Sequence, residues 1–377
     1  LGSITRHQAI PLLGRELASD ALAGQPTPAL AACAALPGLA VADEQPDRDL
    51  QERLDAFVGL VPGGAAAITV HDGVTSVATS GILDDEGGPV APETPFLLGP
   101  LGAPMTAVVV LQLVDDGRIE LDERVKAYLP DAPVADGATV RHLLDWRAGI
   151  PDTYGQLIDR TLRDLRRGWS RQEQADLIDP EVVGTAGELQ WSIGHETVAE
   201  LLVEAVEDKD FGAVLSERIG EPLGLTSTVD IERDERLPPG TAAGWELDLG
   251  LAGDSQRELA GLQTLDGRAS SVTDMATFLR ALAAGELLST VSTDVVFDES
   301  AVSFGMGFDT HEAGLGHLGD LGTRYYLSNG NLISGYSGSL AVSPETGDLV
   351  VVLTSNDDLP TWEFLHQTVS AWASEPE

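Results

Sequence analysis

From Met105 to Val114 the chain reads Met-Thr-Ala-Val-Val-Val-Leu-Gln-Leu-Val, apolar but for Thr106 and Gln112. A run of ten residues is far too short to cross a bilayer, which takes about 20, so it predicts a buried helix. Pro100 and Pro104 fit only near the start of such a helix, where a missing N–H costs little. Gly117 fits its stop. A helix of this kind has to be enclosed by other elements. The chain has 377 residues, 43% of them hydrophobic, enough for one large domain or two moderate ones.

The charge balance narrows the possible partners. There are 61 acidic residues against 22 basic ones, a formal net charge of −39, and the only lysines are Lys126 and Lys209. Such a surface repels nucleic acid and anionic membranes, and repels itself unless salt screens it. Many carboxylates with almost no lysine point to a halophilic origin. A GC-rich genome also depletes lysine but does not by itself add this many acids. No stretch reaches the length of a transmembrane helix.

Cys33 is alone, which leaves no intramolecular disulfide and no cysteine-rich metal site. Leu30-Ala-Ala-Cys33 has the look of a lipoprotein cleavage box, and residues 29–42 resemble a short signal core ending in Ala-Val-Ala. Glu16 and Asp20, alongside Arg6 and Arg15, argue against export, since the segment before that core carries acids and is too long for a plain n-region, and a cytoplasmic location is favoured. Residues 1–45 are read as an extension, leader or linker, with short helices possible around Gln8–Leu22.

The domain is expected to open with an amphipathic helix at Asp47–Phe57, followed by a strand from Pro62 and its partner from Val74 to Ile82, joined at Asp72-Gly73. Residues 156–180 are read as helical and carry Arg160, Arg163, Arg166, Arg167 and Arg171, the one basic run, as a solvated face pairing with nearby acids. His142 is expected to be structural, packed or partly exposed. His195 and Glu196 are expected to begin a helix as capping or surface residues. Thr273 or Asp274 can start a further helix and Gly285 can end it. Phe304–Phe308 and Gly335–Asn356 read as antiparallel strands, the latter pair joined at Pro-Glu-Thr-Gly, before a last helix at Thr361–Ala373.

Phe96-Leu-Leu-Gly99 before the apolar helix, then Gly-Arg-Ile-Glu-Leu-Asp-Glu-Arg-Val-Lys-Ala-Tyr-Leu-Pro130 after it, resembles the serine β-lactamase and penicillin-binding protein superfamily. The likeness is to its class C β-lactamase, D-amino-peptidase and esterase branch. Val140-Arg-His-Leu-Leu144 and Arg218-Ile-Gly-Glu-Pro-Leu-Gly-Leu225 match further segments, so the resemblance covers roughly residues 47–375. It implies an α/β (α+β) β-lactamase/transpeptidase-like fold. An antiparallel sheet lobe, about 46–98 and 262–377, would face an all-helical lobe, about 99–261, across a cleft, giving one domain over 46–377.

The resemblance also implies where acyl-transfer chemistry would stand. The family's Ser-x-x-Lys falls on Pro100 and Ala103, its Tyr-Ser-Asn triad on Trp191, Ser192 and Ile193, and its Lys-Thr-Gly or His-x-Gly box on Asn329-Gly-Asn331. His317-Leu-Gly319 is the alternative for that last box. Asp145, Trp146 and Ala148 replace the usual polar small residues of another family segment. Pro100 has no hydroxyl, Ala103 cannot accept a proton, and Trp191 offers only an N–H donor. No Ser-x-x-Lys occurs anywhere in the chain. No residue is therefore assigned a catalytic role, and the expectation is a pseudoenzyme that binds a small molecule or a protein partner in the old cleft. The alternative is a repurposed hydrolase or acyltransferase using Thr106, Ser192, His195, Asn329 or Asn331. A family hydrolase in a different register is disfavoured by the missing motif. No cofactor is expected, and no metal, because the seven histidines show no paired-ligand spacing.

Overall fold

The computed structural model describes residues 48–59, 61–232, 237–247, 249–297 and 324–372. The expectations for residues 1–45, for Phe304–Phe308 and for His317–Gly319 lie outside them.

The described residues form thirteen helices and ten strands, numbered in chain order. The strands are β1 (Gly64–His71), β2 (Val74–Gly81), β3 (Phe96–Leu97), β4 (Val229–Asp230), β5 (Trp245–Glu246), β6 (Leu251–Ala252), β7 (Arg268–Ser270), β8 (Tyr326–Leu332), β9 (Tyr336–Val342) and β10 (Leu349–Thr354). The helices begin with α1 (Arg48–Val58), α2 (Ala103–Asp115), α3 (Val125–Tyr128), α4 (Val140–Leu144), α5 (Tyr154–Thr161), α6 (Arg171–Ala175) and α7 (Gly194–Glu207). They continue with α8 (Phe211–Leu215), α9 (Glu221–Leu223), α10 (Ala260–Asp266), α11 (Val272–Ala283), α12 (Thr290–Val296) and α13 (Thr361–Trp372).

The main sheet is antiparallel, with strand order β2-β1-β10-β9-β8. Side chains alternate between its faces. Ala65 and Ala67 of β1 pack with Leu50 and Leu54 of α1, whereas Ala66 and Ile68 join the larger core with Phe278 of α11 and Val108 of α2. On β10, Val350 packs with Leu365 of α13, and Val351 and Leu353 face the larger core. Asp72 and Gly73 close the β1–β2 hairpin with φ of 50° and 76°, the left-handed pair that a two-residue turn needs.

Helix α2 forms as its composition requires. Ten of its thirteen residues, Ala103 to Leu111 and Leu113, are buried. Pro104 occupies its first turn, and Pro100 lies one step earlier in a single 3₁₀ turn, Gly99–Gly102. Gly117 follows the helix at φ 69°. Ser271, not Thr273 or Asp274, caps α11, its side chain accepting from the Asp274 N–H.

The basic segment is not one helix. Trp169 is buried between α5 and α6, its Nε1–H donating to Thr161 Oγ1 at 2.8 Å, and Ser170 starts α6 afresh with a capping box to Glu173. Nor is the run uniformly solvated: Arg167 pairs with Glu173 near the surface, but Arg171 is buried.

A second, small sheet, β3-β7-β4, links the parts that matter for the site. It pairs Phe96 with Ser270 and Asp230 with Arg268. The strand that leads into α2 is thereby tied to two buried charges.

Candidate active-site cleft

Where β8, the start of α2, α7 and β7 converge there is a cleft of about 140 Å³. Its lining includes Pro100, Trp146, Tyr154, Trp191, Glu196 and Arg268.

The positions singled out in the sequence are only partly gathered here. Pro100, Trp191, Ser192, Ile193 and Asn331 line the cleft, and Ala103 and Asn329 do not. Pro100 packs beneath β8, its Cδ 3.3 Å from where a Cβ on Gly330 would stand. Ala103 is buried in the helix behind it. Asn329 is exposed on the outer strand, and Asn331 donates from Nδ2 to the Asp357 carbonyl at 2.5 Å.

Ser192 and His195 hold the local backbone together. Ser192 Oγ donates to the Pro151 carbonyl at 3.0 Å and accepts from the Gly194 N–H at 3.1 Å. His195 is not a surface or capping residue but only 1% exposed, because the first turn of α7 faces inward against α4. Its Nδ1 lies 3.2 Å from the Ser192 carbonyl and its Nε2 accepts from the Ala148 N–H at 3.3 Å. That pattern assigns the Nδ1–H tautomer. Burial lowers its pKa to about 4, against a weaker opposing pull from the Ser192 carbonyl, so the ring is neutral with both nitrogens engaged. His142 is half-buried and completes the capping box at the start of α4 with Thr139.

Beneath the cleft lies a buried charge network. Arg268 is only 3% exposed. Its Nη1 donates to the Gly102 carbonyl at 2.6 Å and reaches Glu196 Oε1 at 3.4 Å. Its Nη2 donates to Glu200 Oε1 at 2.7 Å, to Thr106 Oγ1 at 3.3 Å and to Asp230 Oδ1 at 3.5 Å. Arg171 mirrors it, donating to Glu200 Oε2 at 2.8 Å, to Glu204 at 3.2 Å and to Asp230 through a short contact. Glu200 and Asp230 thus each bridge two guanidinium groups.

The acids outnumber the bases. Burial, reinforced by the Glu200 charge, raises Glu196 to about 7, and burial raises Asp230 to about 6 despite Arg171 beside it. Glu196 is therefore more than a helix-starting surface acid. Both of its hydrogen bonds, from Thr106 Oγ1 at 3.2 Å and from Arg268, end on Oε1. Its Oε2 has no partner among the described residues, and its side chain keeps 24% of its surface accessible on the cleft wall.

Among the described residues, two sets of donor atoms are close enough to share an ion: His71, Asp72 and Asp348, and Glu204, Asp210 and Glu232. The second already surrounds Arg171 Nη1, at 3.2 to 3.8 Å, so a metal there would have to displace a guanidinium. In the first, His71 Nδ1 lies 3.1 Å from Asp348 Oδ2.

The sequence model of the family described as "Beta-lactamase" matches residues 50–372. The chain belongs to the β-lactamase family. Within it, one relative is "Penicillin-binding protein 4" of Amycolatopsis lactamdurans, 40% identical over 107 residues, which are 26% of this chain and 28% of that protein. Another is "Esterase EstB" of Burkholderia gladioli, 26% identical over 181 residues, 43% of this chain and 45% of that protein. This β-lactamase-family chain thus spans under half the length of these two relatives. Among solved structures, the octameric penicillin-binding protein homologue from Pyrococcus abyssi superposes with a TM-score of 0.71 at 20% identity, covering 86% of this chain and 76% of that one. D-amino acid amidase from Ochrobactrum anthropi SV3 with D-phenylalanine gives 0.69 at 22%, covering 86% and 98%. At that identity the likeness shows the fold, mixed α/β with antiparallel sheets and flanking helices. Among the described residues no helix is long and apolar enough to cross a membrane.

Proposed function

We infer that this β-lactamase-family chain does not carry out serine acyl transfer and instead holds a small ligand in the cleft. Pro100, Ala103, Trp191 and Ile193 stand at the positions the family resemblance gives to serine, lysine, tyrosine and asparagine. The observation that carries the reading is the engagement of the Ser192, Thr106 and Thr264 hydroxyls and of the His195 imidazole. Ser192 donates to the Pro151 carbonyl, Thr106 to Glu196 and Glu200, and Thr264 to the Ala260 carbonyl, while His195 has both nitrogens in use. A nucleophile needs a base within hydrogen-bond reach to take its proton. Ser192 and Thr264 are turned to backbone carbonyls, and Thr106, whose hydroxyl does reach two carboxylates, is buried and does not line the cleft. The sheet lobe, about 46–98 and 262–377, and the helical lobe, about 99–261, would meet at this cleft, and the acidic exterior would suit salt-rich surroundings.

The test exposes the folded protein, in molar salt, to a fluorescent penicillin and to p-nitrophenyl acetate. No covalent adduct and no turnover is the expected result. A stable acyl-enzyme overturns the reading.

A second reading is favoured by Glu196 alone. A carboxyl near neutrality with one free oxygen can take a proton from water as the resulting hydroxide attacks a carbonyl. Ester turnover that survives Ser192→Ala and vanishes in Glu196→Gln would establish it.

A further inference from the structure

We propose that the cleft is a site for a compact organic ammonium ion, held between Oε2 of Glu196 and the aromatic rings of Trp146, Tyr154 and Trp191. The inference rests on the ligand-holding reading above and adds the chemical class of the ligand.

The rings are the first observation. Trp191 stands nearly perpendicular to both neighbours, at 81° to Trp146 with centroids 6.2 Å apart and at 84° to Tyr154 with centroids 6.3 Å apart. All three line the cleft. The Trp191 indole remains 42% exposed, a large apolar surface that the free protein leaves in water. Aromatic faces attract desolvated cations, and clusters of them take alkylated ammonium groups.

Backbone conformation adds a second. Trp146 has a φ of 56°, in the left-handed region. For a bulky residue this is a true outlier, costing on the order of 1 to 3 kcal/mol, and such strain persists where surrounding structure imposes it. The imposition is visible: the Trp146 carbonyl accepts from Gln190 N–H at 2.9 Å, and the next residue, Arg147, donates to the His142 carbonyl at 2.7 Å. The strained peptide fixes one indole beside the segment that supplies Trp191.

Charge supplies the third. The groups facing Glu196 are Glu200 one turn along α7, Thr106 on α2, Arg268 on β7 and Asp230 on β4. Arg268 reaches Glu196 only at Oε1, at 3.4 Å, and is itself matched by Glu200, Asp230 and the Gly102 carbonyl, which leaves Oε2 without a partner among the described residues. A cation entering the cleft meets an unpaired carboxylate oxygen and releases the proton that burial holds on Glu196. The space, about 140 Å³, is close to that of a cavity that accepts benzene, about 150 Å³. A trimethylammonium group is of this size.

The experiment is calorimetric titration of the full chain, in constant molar salt, with choline and with 3,3-dimethylbutan-1-ol, its neutral isostere, and 3,3-dimethylbutanoate, an anion of similar shape. Choline is expected to bind at least about tenfold more tightly than either. Its affinity should rise by about tenfold between about pH 6 and about pH 8 as Glu196 ionises, a rise that Glu196→Gln removes. Trp191→Ala, a change at an exposed side chain, should weaken choline at least about fivefold with the fold intact by circular dichroism. Equal binding of the neutral isostere, or no choline binding to folded protein, overturns the proposal. Ester turnover in a parallel assay would instead overturn the non-hydrolytic reading, leaving the ammonium site to be judged by the titrations.

Discussion

Arg268 donates from Nη2 to Glu200 Oε1 at 2.7 Å, and the two residues come from segments 68 positions apart in the chain. Neither is more than 11% exposed at its side chain. Removing one member of a buried pair strands the other charge, at a cost of about 3–5 kcal/mol. Arg268→Leu is therefore expected to lower unfolding free energy by that amount in denaturant titrations. Arg268→Lys should recover little of it, because an ammonium cannot span the Gly102 carbonyl, Glu200 and Asp230 together.

The response to pH follows from two opposed shifts. Glu196 is raised from 4.5 to about 7, so the folded state binds its proton more tightly, and this contribution is present below pH 4.5 and lost as pH rises through about 7. Asp230, raised to about 6, acts in the same sense. His195 is lowered from 6.5 to about 4, so its contribution is present above pH 6.5 and lost as pH falls through about 4. Glu196 and His195 each amount to something on the order of 3 kcal/mol, and they largely cancel. Glu196→Gln should unmask the histidine: relative to the parent, its melting temperature should fall further on acidification from about pH 7 to about pH 4. An unchanged difference across that range would count against the raised affinity of Glu196 for its proton.

Restoring a hydroxyl should not restore chemistry. Pro100→Ser is expected to give no penicillin adduct by intact-mass measurement. Ala103 beside it has no proton acceptor, and Ser192 and His195 are committed to backbone partners. An adduct would reveal a base within reach of position 100.

Two tryptophans should answer differently to truncation. Trp146→Gly removes a half-buried ring at the cleft but relieves a left-handed backbone, so stability should stay within about 1 kcal/mol of the parent. Trp169→Ala, which empties a buried position and strands Thr161 Oγ1, should cost about 3–5 kcal/mol. Chemical denaturation of both variants reads the contrast.

The long-range architecture was readable where local pattern is sufficient. The α2 run, the Asp72-Gly73 hairpin and the apolar strands β1 and β10 each follow from spacing and turn chemistry within a few residues. The charge network was not. Glu196, Glu200 and Glu204 recur every four residues on a largely apolar helix, a signal visible in the sequence, yet the same spacing describes a solvated stripe. What buries them is Arg171, 29 residues from Glu200, and Arg268, which no motif marked. Likewise, Trp146 could be noticed as a departure from a family segment, but its meeting with Tyr154 and Trp191 depends on how three loops close.

The two guanidinium groups bear on how this molecule would respond to dilution of its medium. Its exterior carries most of a −39 charge, and mobile ions can reach and mask it. Arg171 and Arg268 are packed beyond the reach of such ions, neutralised by acids fixed on α7, β4 and neighbouring segments. Withdrawing electrolyte should therefore swell and fray the periphery first, leaving a central knot that loosens only when the whole chain does. Amide exchange followed during desalting would appear as two separate populations, a fast outer shell and a slow nucleus around Glu200.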